Sequence, residues 1–219
     1  MDLQFSLDFL KDLSANNHKE WMDDNKKRYL EAKEQIIQLV AQVLGKVTQF
    51  DASVSSLEPK KTLFRINRDI RFSKNKDPYK TNFGAFLVEG GKKSGLPGYY
   101  IHIQPGNSFL GGGIYQPSAE ALAKVRQEID YGGEELMQII TSAEFRKTYS
   151  EPYGDDRLKT APKGYPKDHP HIALLQLKHY VFMREARDSE VAGSSFIDSA
   201  TESFRVLHPF NQFLSKALD

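Results

Sequence analysis

The sequence has 219 residues, with 30 lysines and arginines against 29 aspartates and glutamates, and it contains no cysteine. A chain of this length suits one domain, so we take residues 1–219 as a single domain. The formal net charge of +1 gives no general attraction to nucleic acid or to an anionic membrane, so any such attraction has to be local. The lack of cysteine excludes disulfides, thiolate nucleophiles and cysteine-bound metals, and it fits a reducing cytoplasm.

The opening residues, MDLQFSLDFLKDL, carry acidic side chains where a secretory signal needs basic ones. No apolar run approaches the roughly 18 residues that a membrane-spanning helix needs. We therefore expect a soluble, cytoplasmic protein with no membrane partner.

The first part of the chain predicts two helices. Ser6 is a suitable N-cap for a short helix that ends at the sequence SANN. A second helix begins at Asn17, which together with Glu20 resembles a capping box, and apolar residues follow at helical spacing to about Gly45. The apolar faces of both helices are expected to lie in the core.

From residue 63 the apolar period changes from that of a helix to that of a strand. One side of an extended chain would carry Phe64, Ile66, Ile70 and Phe72. Arg68 falls in the same apolar row, where a charge needs a partner because an unpaired buried charge is strongly destabilising. We therefore expect a strand over about residues 63–72, in which Arg68 is buried, meets a carboxylate and backbone carbonyls, and has a structural role.

Three further segments predict strands in hairpin succession. They read NFGAFLVE, YYIHIQ and SFLGGGIY, and Gly, Pro or Asn separates each from the next. Glycines 111–113 weaken a strand unless something approaches it closely, which makes this strand a candidate floor for a pocket. HYVFMRE is a candidate for another strand, and helices are expected after Pro117 and near the C-terminus. The expected fold class is α+β, with an antiparallel sheet of four or five strands over about residues 63–115, flanked by N-terminal and C-terminal helices.

Residues 65–82, RINRDIRFSKNKDPYKTN, concentrate positive charge. The segment contains six cationic and two anionic side chains, so its net charge is +4 and that of the rest of the chain is −3. The six cations are Arg65, Arg68, Arg71, Lys74, Lys76 and Lys80, and the two anions are Asp69 and Asp77. We call residues 65–82 the basic motif.

Written as R-x-x-R-D-x-R-F-x-x-[DN]-K-x-P-Y-K, the basic motif resembles the signature of an uncharacterised, mainly bacterial family, domain-of-unknown-function family 2461. The likeness extends to NNHKEWMDDNKKRY, GYYIHIQPGNSFLGGGIYQP, DHPHIALLQLK and FRVLHPFNQFL, and so covers nearly the whole chain. The resemblance implies no activity. Asn75 stands where the signature also uses aspartate, which makes a metal at this loop less favourable because one carboxylate is lost.

Two uses of the basic motif compete. In the first, the motif binds a small anionic, phosphate-bearing ligand, because guanidinium forks and ammonium groups suit phosphate or carboxylate. The expected ligand-binding residues are Arg65, Arg71, Lys76, Tyr79 and Lys80, with Asp69 as an orienting group. In the second, Arg68 and Asp69 belong to an internal network that binds no ligand. No nucleophile or metal motif is present, so catalytic residues stay unassigned, no cofactor or metal is expected, and enzyme status stays open.

A nucleic-acid binding module is the alternative function. Loop lysines at 74, 76, 80, 92 and 93 would contact phosphates, and binding would weaken strongly with salt. The near-neutral charge of the remaining chain makes this alternative the weaker one.

Overall fold

The structure is a computed structural model that describes residues 3–154 and 156–219. The helices are α1 (Gln4–Ala15), α2 (Lys19–Asp24), α3 (Lys26–Val47), α4 (Pro59–Thr62), α5 (Ala119–Thr141), α6 (Ala143–Thr148), α7 (Ile172–Leu175), α8 (Asp188–Val191) and α9 (Phe196–Leu218), with a 3-10 turn at Ala52–Val54. The strands are β1 (Phe83–Leu87), β2 (Gly98–Ile103), β3 (Ser108–Ile114) and β4 (Tyr180–Ala186).

The described residues form an antiparallel sheet of four strands in the order β1-β2-β3-β4. The register pairs Tyr100 with Phe86 on β1 and with Gly111 on β3, and Gly111 in turn pairs with Met183 on β4. The predicted α+β class is therefore confirmed, with helices of the N-terminal and C-terminal parts flanking an antiparallel sheet.

The two faces of the sheet are occupied differently. Because successive side chains in a strand point to opposite faces, Tyr99, Ile101 and Ile103 of β2 share one face, and all three are buried in the hydrophobic core. Helices α3 and α9 contribute Leu39 and Leu207 to the same core. We call the opposite face, which carries the side chains of residues 86, 100, 109 and 183, the open face.

The predicted strand over residues 63–72 is wrong. This segment makes isolated bridges, Leu63 with Ala85 and Asn67 with Tyr79, and the fourth strand of the sheet is instead β4. Local bonds explain the difference, since Asp69 Oδ1 accepts from the backbone N–H of Arg71 at 3.3 Å. Such side-chain bonds to the backbone compete with a strand ladder, and the apolar residues of the segment do not share a buried face.

The apolar row that predicted this strand is split between core and solvent. Ile66 is buried, whereas Phe64 is 40% exposed and Phe72 is 95% exposed. The segment folds back on itself instead, because Arg68 N donates to Pro78 O at 2.9 Å and Lys80 N donates to Ile66 O at 2.8 Å. The basic motif is therefore a folded loop that leads into β1.

Two long helices contain residues that usually interrupt a helix. Helix α5 runs through Gly132, which departs from helical φ/ψ and marks a kink. Helix α9 contains Pro209 within its length. Among the described residues, no helix combines the length and the apolar character needed to cross a membrane.

Candidate functional site

The open face of the sheet forms the floor of a cavity of about 890 Å³. Aromatic and apolar side chains from all four strands line it, among them Phe86, Tyr100, Phe109 and Met183. Residues 111–113 also line it, so part of the floor is peptide backbone, as the glycine-rich sequence of β3 predicted. A volume of this size is typical of sites for small molecules, which are largely apolar with a few placed polar groups.

The rim of the cavity includes the loop between β1 and β2 and a pair of aromatic side chains. The loop between β1 and β2 contributes Lys92, Ser94 and Leu96, among others. On the far side stand Tyr115 and Tyr153, whose ring centroids are 6.3 Å apart. The floor is thus largely aromatic, and Lys92 is a charged group at the edge.

Lys80 and Lys92 place two ammonium groups at one edge of the cavity. Their Nζ atoms lie 5.6 and 5.2 Å from the centroid of the Phe64 ring, a distance that permits attraction to its π face. Lys92 Nζ donates to the carbonyls of Lys61, at 2.6 Å, and Leu63. The orientation of Lys92 is therefore fixed by the backbone, whereas the Nζ of Lys80 remains available to a ligand.

The electrostatics of this edge favour an anion. Burial lowers the pKa of Lys80, and the nearby charge of Arg65 lowers it further. Burial likewise lowers the pKa of Lys92, with the charge of Lys80 adding to the effect. Neither lysine forms an ion pair with a carboxylate of the described chain, so an incoming anion would relieve the repulsion between them.

A hydroxyl group and an imidazole lie side by side on the open face. Tyr100 Oη is 3.1 Å from His102 Nδ1, and His102 Nε2 is 3.0 Å from Gln104 Oε1. The ring of His102 stacks on that of Phe109, with centroids 4.4 Å apart. Burial raises the pKa of Tyr100 to about 12. Burial lowers the pKa of His102 below its usual value, with the charge of Lys80 as a lesser cause, and this outweighs the opposing effect of Gln104.

Of the residues predicted to bind a ligand, Lys80 lines the cavity formed by the described residues, and the others lie outside its lining. Arg65 is exposed near Lys80. Lys76 Nζ donates to the backbone carbonyl of Ile70 at 3.0 Å. The side chain of Tyr79 is buried in the core. The structure therefore separates residues that the sequence grouped together.

Arg71 and Asp69 form a two-point ion pair within the basic motif. Arg71 Nε donates to Asp69 Oδ1 at 3.0 Å, and Nη2 donates to Oδ2 at 2.7 Å. The hydrogen bonds from Arg71 hold the pKa of Asp69 below its usual value. In this arrangement much of the guanidinium fork of Arg71 is already occupied.

The prediction that Arg68 is buried against a carboxylate is wrong. Its side chain is half-buried, Nη1 donates to the carbonyl of Asp77 at 2.9 Å, and Nη2 donates to Ser73 Oγ at 3.3 Å. No carboxylate of the described residues pairs with it. The expected backbone carbonyl is present, and the error follows from the segment not being a strand.

The sequence analysis did not identify the aromatic residues of the open face as a candidate site. Strict alternation in FGAFL and GYYIHI places Phe86 and Tyr100 on the same face as each other and opposite Tyr99, and this pattern was the available signal. Lys92 was expected to be a loop lysine that contacts nucleic-acid phosphates, whereas its side chain reaches back to residues 61 and 63. Among the described residues, no group of three or more histidines and carboxylates is placed to hold a metal ion.

These features define an α+β protein that packs its helices on one face of an antiparallel sheet and opens the other face to a cavity. The chain belongs to the family described as conserved hypothetical protein (DUF2461), whose profile matches residues 6–213. The family membership predicted from the sequence is therefore confirmed. Comparison with curated proteins found no match, and comparison with solved structures found none either.

Proposed function

We propose that the protein binds a small molecule that combines an anionic group, phosphate or carboxylate, with a planar apolar body. The observation that carries this proposal is the pair Lys80 and Lys92 at the edge of a cavity with an aromatic floor, where no carboxylate of the described residues pairs with either lysine. The anionic group would bind to Lys80, with Lys92 close by, and the planar body would lie on Tyr100 and Phe109.

The size and lining of the cavity suit both parts of this ligand, the anionic group and the planar apolar body. A volume of about 890 Å³ exceeds what a bare phosphate needs, and the floor offers ring faces for stacking. The edge supplies the cationic groups that phosphate and carboxylate prefer. Arg65 stays in the proposal as a second contact near the rim, because its charge already acts on Lys80. Arg71 contributes less, since Asp69 occupies its fork.

A thermal-shift titration tests this proposal with four probes: phenyl phosphate, benzoate, inorganic phosphate and benzyl alcohol. We expect phenyl phosphate and benzoate to raise the Tm more than either inorganic phosphate or benzyl alcohol, because they alone match both halves of the site. Lys80→Met should remove most of the shift. Lys74→Met is the matched control, because Lys74 is exposed in the same motif and lies outside the cavity lining. Equal loss in both variants, or no shift with any probe, would contradict the proposal.

Nucleic-acid binding is the second candidate, and the exposure of Phe72 is the observation that favours it. Phe72 is 95% exposed, and the guanidinium of Arg71 lies 5.8 Å from its ring centroid. An exposed aromatic ring among cations suits stacking on a single-stranded base. Retention on single-stranded DNA at low salt that falls with Phe72→Ala would support this candidate, and no retention would remove it.

A further inference from the structure

We propose that the cavity is catalytic, with Tyr100 exchanging a proton with a hydroxyl group of the bound molecule and His102 accepting the proton of Tyr100. This inference rests on the proposed function for the location of the ligand. It adds a reaction class, acid–base chemistry at a hydroxyl group, and it assigns Tyr100 as the catalytic residue with His102 as its proton acceptor.

The hydrogen bonds of Gln104 fix the tautomer of His102. An amide oxygen only accepts, so His102 Nε2, 3.0 Å from Gln104 Oε1, carries the ring hydrogen. The amide of Gln104 is itself oriented, because its Nε2 donates to Thr81 Oγ1 at 3.3 Å. His102 Nδ1 is then unprotonated, and at 3.1 Å it accepts from the hydroxyl group of Tyr100. The chain Tyr100–His102–Gln104 therefore has a defined direction.

The sheet makes room for the hydroxyl group of Tyr100. A Cβ atom at Gly84, on the neighbouring strand, would lie 2.5 Å from Tyr100 Oη, so a glycine is needed for the present position of the hydroxyl group. Tyr100 lines the cavity while His102 lies beside it, stacked on Phe109. The hydroxyl group thus belongs to a side chain that lines the cavity and lies within hydrogen-bond distance of a proton acceptor.

The charges around the relay suit proton transfer. Because burial lowers the pKa of His102, the ring is a neutral acceptor at neutral pH. As the ligand hydroxyl passes its proton to Tyr100 Oη, the Tyr100 proton moves to His102 Nδ1, which yields a ligand alkoxide and an imidazolium. The ammonium group of Lys80 lies close enough to act on His102, where it opposes the imidazolium, and it would favour the negative charge that develops on the ligand oxygen. Two protons each move by one position, the net charge is unchanged, and the reverse transfer from His102 through Tyr100 restores the starting state.

A covalent probe tests the relay without knowledge of the natural ligand. The probe is 4-(fluorosulfonyl)benzoate, whose carboxylate suits Lys80 and whose ring suits the cavity floor. Tyr100 Oη attacks the sulfur, the S–F bond breaks, fluoride leaves with the bonding electrons, and the phenolic proton passes to His102 Nδ1. Mass spectrometry of peptides measures the labelling rate at each tyrosine, and Tyr131, which is 79% exposed, is the internal reference.

We expect Tyr100 to be labelled at least about tenfold faster than Tyr131, although burial alone would make it slower. His102→Asn retains an oxygen acceptor for a hydrogen bond but accepts no proton near neutral pH, so labelling of Tyr100 should fall about tenfold or more while folding persists. In the wild type, the rate should fall only at pH values below the usual range for histidine, because the pKa of His102 is lowered. Equal rates at Tyr100 and Tyr131, or an unchanged rate in His102→Asn, would overturn the inference.

A neutral probe separates this inference from the proposed function. Benzenesulfonyl fluoride has the same reactive group without the carboxylate. If the neutral probe labels Tyr100 as fast as the anionic one and His102→Asn slows both, the relay stands and the anion site fails. If Lys80→Met removes the preference for the anionic probe but neither probe depends on His102, the anion site stands and the relay fails.

Discussion

Asn17 holds the backbone of Tyr79 with both ends of its side-chain amide. Its Oδ1 atom accepts from Tyr79 N at 3.1 Å, and its Nδ2 atom donates to Tyr79 O at 3.0 Å. The two residues are 62 positions apart, so this contact ties the end of the basic motif to the turn between α1 and α2. Asn17 was predicted to cap the second helix, but His18 is the N-cap of α2, with its ring accepting from Trp21 N.

Replacing Asn17 should therefore loosen the basic motif. Asn17→Ala removes two part-buried hydrogen bonds and leaves two backbone groups without partners, which should lower the free energy of unfolding by about 1–3 kcal/mol. Urea denaturation measures the loss, and hydrogen exchange should show faster exchange at the amide of Tyr79. Lys11→Ala, an exposed change on α1, is the control. Wild-type stability in Asn17→Ala would show that the contact is incidental.

Gly133 and Gly132 give a matched pair in helix α5. A Cβ atom at Gly133 would overlap the imidazole ring of His171, whereas one at Gly132 would have no neighbour closer than 3.6 Å. Gly133→Ala should destabilise the protein by about 1–3 kcal/mol, because the ring has to move. Gly132→Ala should be close to neutral. Thermal unfolding of both variants checks this difference, and equal Tm values would contradict it.

The structure changes what is expected of Arg68. A buried arginine paired with a carboxylate would predict a loss of roughly 3–5 kcal/mol on truncation. Since Arg68 is half-buried and bonds the carbonyl of Asp77 and the hydroxyl group of Ser73, we expect Arg68→Ala to lose only about 1 kcal/mol. Chemical denaturation distinguishes the two values. A loss of unfolding free energy at the larger value would indicate that Arg68 is buried and paired with a carboxylate after all.

The carboxylate of Asp51 should make stability depend on pH in acid. Burial alone would raise the pKa of Asp51, but hydrogen bonds from His208, Ser53 and Tyr99 outweigh it and hold the pKa well below its usual value. A lowered folded-state pKa means that the stabilisation is complete above the unfolded-state pKa of about 4 and is lost as the pH falls toward the folded-state pKa. Asp51→Asn should therefore cost about 1–3 kcal/mol at neutral pH.

The pH series supplies the control for this prediction. Urea denaturation of wild type and Asp51→Asn at decreasing pH should show the two stabilities converging below about pH 4, because protonation of Asp51 removes the same interaction. A difference that stays constant over this range would mean that the ionisation of Asp51 does not contribute.

The sequence predicted the sheet where side-chain alternation and turn residues agree. In β1, β2 and β3 both signals were present, whereas HYVFMRE, which contains β4, was named only as a candidate strand. The segment of residues 63–72 also alternates. Within it, however, Asp69 accepts hydrogen bonds from the side chain and the backbone N–H of Arg71, and these local bonds replace a strand ladder. Alternation predicts which side chains would share a face of a strand. It does not predict whether the backbone of the segment pairs with a neighbouring strand.

The candidate site could be predicted only in part for a related reason. Lys80 was identified because it belongs to a conspicuous cluster of charge, whereas the open face became apparent only once the helices were seen to pack on the other face of the sheet. The local sequence of the strands does not predict which face of the sheet the helices leave uncovered. The contact of Lys92 with residues 61 and 63 likewise depends on the loop geometry.

We propose that ligands bind on the open face of the sheet rather than on the tip of the basic motif. Titration of phenyl phosphate into isotope-labelled protein, followed by NMR of assigned backbone amides, tests it most directly, because Gly111 and Gly113 report on the cavity floor. We expect shifts at these glycines and at Tyr100 and Lys80 that saturate with a single affinity and weaken in Lys80→Met. Shifts confined to residues 68–77, with the glycine amides unchanged, would contradict it.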